Sequence, residues 1–217
     1  MLHDLDLFNQ FSLTDEDGRK SAQYDEERKR KEVRYSAASA EEYIRALHIR
    51  IVPEKNNAAA VARISQMTQK TNQFNLTTKR YGEKEIAALM ENADVYSGDV
   101  SDKFGDYGRT VLAIVTKDET GTAMLDTFLM SCRVMGRGVE YAFVAYVGEE
   151  LRAAGIKRLS ASFIPTKKNE PARAFLGSLG FGVVGEEGGV TSYTISVETL
   201  LERAKEKQGG VTVEGKD

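Results

Sequence analysis

The stretch Ser131–Glu140, SCRVMGRGVE, decides the reading of this chain. Before it, AMLDTFLMSC (123–132) is a short apolar run that reads as a strand. After it, VEYAFVAYVGEELRAAG sets Val139, Phe143, Tyr146 or Val147, and Leu151 on one helical face and ends at Gly155. Two glycines and two arginines therefore lie at a strand-to-helix junction. A helix N-terminus carries unpaired N–H groups and about half a positive charge, so it favours anions. Gly136 and Gly138 leave the backbone uncovered there, and Arg133 and Arg137 can pair with phosphate oxygens. The junction is either a phosphate cradle or a tight turn with its arginines in water.

Working outward, VLAIV (111–115), the turn residues KDETG (117–121) and the run at 123–132 form a hairpin. RLSASFI (158–164) alternates as a strand. Asn169 can cap a helix over 170–178, with Pro171 in its first turn and Gly180 at its end. Two short strands follow, near 181–185 and 191–197. Upstream, Val61, Ile64 and Met67 predict a helix near 58–69, and Thr77 or Thr78 can cap a second that buries Ile86, Leu89 and Met90. Helices, a hairpin, alternating strand and helix, and two closing strands make a mixed α/β sheet with helices on both faces.

The 217 residues suit one domain with an appended segment. Between Thr14 and Arg34 seven acidic and seven basic residues alternate, which predicts an exposed helix or a mobile linker. Ser39 and Glu42 form a capping-box pattern. The expected organisation is a charged helical linker over 1–50, the main domain over 51–200 and a disordered tail over 201–217. A net charge of −3 argues against a nucleic-acid footprint. No run approaches 18 apolar residues, so no membrane span is expected, and MLHDLDLFNQF lacks the build of a secretory signal. The single cysteine, Cys132, excludes an internal disulfide and fits a reducing cytoplasm. No His, Cys and carboxylate cluster has metal-ligand spacing.

The pattern R-x-x-G-x-G at Arg133–Gly138, between a strand and a helix, resembles the pyrophosphate loop of the GNAT acyltransferases, and NEPARAFLGSLGF resembles their terminal helix and closing L-G-F. RISQMTQKTNQFNLTTKRY, DKFGDYG, FLMSCRVMGRGVE and IPTKKNEPARAFLGSLGF together resemble the C-terminal half of FkbH-like proteins, from about Phe8 to Val197. Those proteins join a HAD-type phosphatase-like domain to a GNAT-like domain. They load a glyceryl unit from a phosphorylated three-carbon acid onto an acyl carrier protein. The resemblance implies a GNAT-like, mostly antiparallel sheet flanked by helices. It also implies coenzyme A or the 4'-phosphopantetheine of a carrier protein as thiol, and a HAD-type partner. The HAD nucleophile motif has no good match. Asp4 and Asp6 imitate it without the preceding apolar strand or the following Thr, so a fragment or stand-alone relative without phosphatase chemistry is expected.

The same resemblance implies that Arg133, Val134, Met135, Gly136, Arg137 and Gly138 hold the pyrophosphate, with the thioester between the central strands and its carbonyl against a strand N–H. Asn169 either contacts the pantetheine arm or caps its helix. The family's usual tyrosine, which protonates the leaving thiolate, falls at Leu176, and leucine donates no proton. Glu140 either satisfies the helix dipole or serves as a general base. Cys132 is either a small buried hydrophobe or an acyl-carrying thiolate beside Arg133. In KTNQFN, the amides of Asn72, Gln73 and Asn75 either read a polar substrate or satisfy their own loop. Asp102 and Asp106, around Phe104 and Gly105, either build a turn or meet substrate. Two functions remain open: acyl transfer on a pantetheine thiol, and a non-catalytic phosphopantetheine or carrier-protein binding module.

Overall fold

The structure is a computed structural model and describes residues 15–215. Asp4 and Asp6 lie outside the described residues. The chain runs through α1 (Asp15–Ser36), α2 (Ala40–Leu47), β1 (Arg50–Lys55), α3 (Val61–Lys70), β2 (Phe74–Asn75) and α4 (Glu83–Asn92). It continues with β3 (Asp94–Asp102), β4 (Gly105–Lys117), β5 (Thr122–Met130), α5 (Val139–Ala153), β6 (Arg158–Phe163) and α6 (Glu170–Leu179). It closes with β7 (Gly182–Glu187), β8 (Val190–Ser196), α7 (Val197–Lys207) and β9 (Thr212–Val213). The strand order is β7-β8-β6-β5-β4-β3-β1-β9, with β2 paired to β5. Only the β5–β6 and β1–β9 pairs are parallel. The mixed, mostly antiparallel sheet flanked by helices is as expected.

The VLAIV run is apolar at every position because β4 is covered on both faces. Val111, Ala113 and Val115 join the larger core with α5, α6 and α7. Leu112 and Ile114 join a second core with Ile64 of α3 and Ile86 of α4. All five are fully buried. β5 and β6 pair only from Thr122↔Arg158 to Leu125↔Ala161 and then part. Beyond that point β5 takes β2 as its neighbour, through Phe74↔Met130 and Asn75↔Leu129.

Several expectations are corrected. β1 carries Pro53 and charged residues, so its sequence hides a strand that lies between β3 and β9. α4 starts at Glu83, not near Thr77. Its cap is Gly82, whose N–H donates to the Glu85 carboxylate at 2.7 Å. Thr77 and Thr78 instead donate their N–H groups to Asn75 Oδ1. Residues 201–215 carry the end of α7 and β9 where a disordered tail was expected. α7 packs on α5, where a Cβ at Gly148 would meet Leu201 Cδ2 at 2.9 Å, and Val211 is buried just before β9 joins β1. Apolar residues four and three apart, Val197, Leu201 and Ala204, drive this docking.

The charged N-terminal segment is also fastened down. Ser39 accepts the Glu42 N–H, while Glu42 reaches back to the Ala38 N–H. In α1, Arg30 is 4% exposed and binds the fully buried Asp102 carboxylate at 2.7 and 3.0 Å. Burial alone would raise the Asp102 pKa, but the hydrogen bonds from Arg30 and Tyr107 hold it below the usual range. Removing one partner of such a pair strands a buried charge. We expect Arg30→Met to destabilise the fold by about 3 kcal/mol, read as a lower urea midpoint, with Asp25→Asn, whose carboxylate is exposed, as the near-neutral control.

Candidate functional site

The junction after β5 is built in two steps. Ser131 N–H donates to Thr110 O at 2.8 Å and ends the strand. Cys132–Val134 then form one 3-10 turn, so the N–H groups of Val134 and Met135 are spent on Ser131 O and Cys132 O. Val134 is buried in the core and Met135 packs against it, so neither side chain is offered to a ligand. Gly138 precedes α5 and has no side chain to cap it. The first N–H groups of that helix are therefore free of a side-chain cap.

The two glycines do different work. A Cβ at Gly136 would meet nothing within 4 Å, so this position is open. A Cβ at Gly138 would lie 2.6 Å from the carbonyl oxygen of Gln208. That close approach, together with a φ of +81°, is why glycine is required there. Arg137 does not float free. It donates to the Tyr107 hydroxyl, stacks over that ring and lies 3.8 Å from Asp102. Arg133 donates to Tyr107 O at 3.0 Å.

Two clefts flank this junction. On the Met135–Arg137 side, a cleft of about 610 Å³ is lined by Lys31 and Arg34 of α1 together with Gly136 and Arg137. On the Ser131–Arg133 side, a cleft of about 660 Å³ is lined by α3, the Thr71–Gln73 turn and Lys167 and Lys168. Cys132 is exposed and lines the second cleft, which corrects the expectation of a buried thiol.

The gap between the parted ends of β5 and β6 is filled by the chain itself. Leu76 N–H donates to Phe128 O at 3.2 Å, and Leu76 O accepts the Ile164 N–H at 3.0 Å. The Phe74 ring packs against Phe128 and Phe175, 5.4 Å from the latter. Asn169 is fully buried and pins the insertion. Its amide donates to Asn75 O at 3.0 Å and Ile164 O at 2.9 Å, and its oxygen accepts the Thr166 N–H at 2.7 Å. It makes no side-chain cap to α6, which corrects the capping expectation. Thr77 and Tyr81 fasten the following residues to Asp126 of β5.

The remaining expected residues divide. Gln73 and Asn72 are exposed and line the second cleft, with Asn72 accepting from Arg80. Asn75 is buried and serves the backbone of its own segment. Asp102 is consumed by Arg30, Tyr107 and the N–H groups of Phe104 and Gly105. Asp106 accepts the Gly108 N–H at 2.6 Å in its turn. Asp102 is thus a core residue and Asp106 a turn residue, and neither lines either cleft. Leu176 is fully buried. The cations of the second cleft were missed, because Arg63, Lys70, Lys167 and Lys168 come from segments that only the fold brings together.

Glu140 is 7% exposed. Its spacing to Phe143, Val144, Val147 and Leu151, all fully buried, sets it on the face of α5 turned to the sheet. One carboxylate oxygen has no hydrogen-bond partner. Burial pushes its pKa up to about 6, against a smaller pull from its own backbone N–H.

No protein-family model and no curated protein sequence matches the chain. Solved structures match in fold. The PaiA N-acetyltransferase of Thermoplasma acidophilum, in complex with coenzyme A, aligns with TM-score 0.55 and 9% identity over 67% of this chain and 98% of its own. The ribosomal-protein-S18-alanine N-acetyltransferase of Escherichia coli aligns at 0.52 and 15%, over 68% and 94%. A GNAT-family acetyltransferase of Streptococcus pneumoniae aligns at 0.52 and 13%, over 67% and 98%. The chain has the GNAT fold, and its structural neighbours are GNAT-family acetyltransferases.

The buried carboxyl yields a pH test. Its folded pKa lies above the unfolded value, so the protonated form is favoured in the fold and stability falls as pH rises from about 4.5 through about 6. Glu140→Gln is expected to stabilise the protein by about 2 kcal/mol at pH 8 and by almost nothing at pH 4, measured by urea unfolding at both pH values.

Proposed function

We propose that this chain is an acyltransferase-like domain that handles an acyl thioester on a pantetheine thiol, of coenzyme A or of an acyl carrier protein. The observation that carries the reading is the junction itself. Just before α5, an open Gly136 and Arg137 line a cleft together with Lys31 and Arg34, on a GNAT fold. The one carboxylate in that lining, Glu27, is drawn to Arg30 at 3.8 Å. Backbone N–H groups from Gly136 to Gly138 would hold the phosphates. In the reaction a nucleophile attacks the thioester carbonyl, the C–S bond breaks, and the proton lost by the nucleophile ends on the departing sulfur. Glu140 is assigned the proton transfer, since its pKa suits both directions near neutrality. The finer reading is the FkbH-like one: acyl or glyceryl loading of a carrier protein beside a HAD-type partner.

A second reading, a binding module without chemistry, is favoured by two observations. Leu176 is buried where a proton donor would stand, and Phe74–Leu76 fill the gap between β5 and β6. On this reading the domain holds a phosphopantetheine group for a separate enzyme.

Calorimetric titration with acetyl-CoA tests the proposal. The wild type should bind saturably. Gly136→Glu sets a negative charge beside the loop and should weaken binding about tenfold or more, equivalent to about 1.4 kcal/mol, relative to Gly136→Gln, which carries the same backbone strain at φ +70°. Binding of a holo carrier protein but not of acetyl-CoA would make the carrier protein the source of the thiol, and binding without any acyl transfer would select the second reading. Binding of neither would overturn both.

A further inference from the structure

We propose that the cleft between α3, the Thr71–Gln73 turn and the turn after β6 is a binding site for a small polyanion. Five cations converge on it from three parts of the chain. Arg63 and Lys70 stand two turns apart on α3, Arg133 comes from the turn after β5, and Lys167 and Lys168 come from the turn after β6. Among the described residues none of the five makes an ion pair, and no carboxylate lines the cleft. The sixth cation there, Arg109, is neutralised by Glu54 and Asp99. By contrast, Arg28 and Arg30 of α1 and Arg203 and Lys205 of α7 meet carboxylates.

The charges are placed without being cancelled. Arg63 donates to Arg109 O at 3.0 Å, and Arg133 donates to Tyr107 O at 3.0 Å. Backbone carbonyls thus orient both guanidinium groups without an ion pair, and the pull of Asp99 on Arg63 is weaker than the opposing effects of burial and Arg133. Burial, and next the nearby Arg133, make the charged form of Arg63 less favourable than usual, as expected where positive potential accumulates. A ligand with two or more negative charges would relieve that repulsion and find guanidinium forks and ammonium groups already arranged. Asn72 and Gln73 at the rim add amide groups for orientation. An alkylammonium group would be repelled by the same field. On the acyl-transfer reading, on which this role rests, the cleft seats a second substrate that is a polyanion and not an amine.

The test is calorimetric titration with inorganic pyrophosphate at fixed ionic strength, beside the double variant Lys167→Glu, Lys168→Glu. Both lysines are exposed, so the variant should fold, as circular dichroism would verify. Saturable binding to the wild type, at least tenfold weaker in the variant and unchanged by saturating coenzyme A, is the expected result. Equal affinity in the variant, or displacement by coenzyme A, would put the anion at the glycine junction and overturn the proposal, as would no saturable binding. Because coenzyme A is a separate arm, a chain that fails to bind it but shows the expected pyrophosphate result would sink the acyl-transfer reading and leave this site standing.

Discussion

The parting of β5 from β6 is the constraint on which the rest of the molecule depends. Two parallel strands that separate after Leu125 and Ala161 leave a row of backbone groups without a partner inside the protein. Buried N–H and C=O groups must be paired, and each failure is costly. The chain answers with Phe74–Leu76, which bonds to Phe128 on one side and Ile164 on the other. Everything near the gap is arranged to hold that insert: the Asn169 amide, the Phe128 and Phe175 rings, and the Asp126 carboxylate that fixes Tyr81.

A second network fixes the other side of the junction. Asp102 gathers Arg30, Tyr107 and two backbone N–H groups, and Tyr107 in turn carries Arg137 on its face and hydroxyl. The N-terminal helix, the β3–β4 turn and the glycine junction are therefore one mechanical unit. Arg137 has lost the freedom of a surface arginine but gained a defined direction, which is what anion recognition requires.

The junction divides two clefts of similar size and different charge balance. One keeps a carboxylate among its cations and abuts the uncapped end of α5. The other has cations alone, apart from the neutralised Arg109. Glu140 lines neither cleft; it is turned to the sheet with an unpartnered oxygen, a costly placement for a carboxylate.

Much of this was legible in the order of residues. The hairpin, α5, β6 and α6 follow from apolar periodicity and from glycines at helix ends, because those signals act over a few residues. The glycine junction was legible for the same reason. What periodicity misled on were β1, broken by Pro53, and the tail, whose short apolar set is meaningful only against α5 and β1. The roles of Asn169, Asp102 and Gly138 were decided by tertiary structure alone. Each is set by a partner far along the chain: Asn75 O, the Arg30 guanidinium and Gln208 O respectively. The same holds for the five unpaired cations, since charge accumulates in space and not along the chain. Local sequence determined the elements and the phosphate-sized turn; only long-range packing decided which polar groups were consumed by the fold and which were left to meet a ligand.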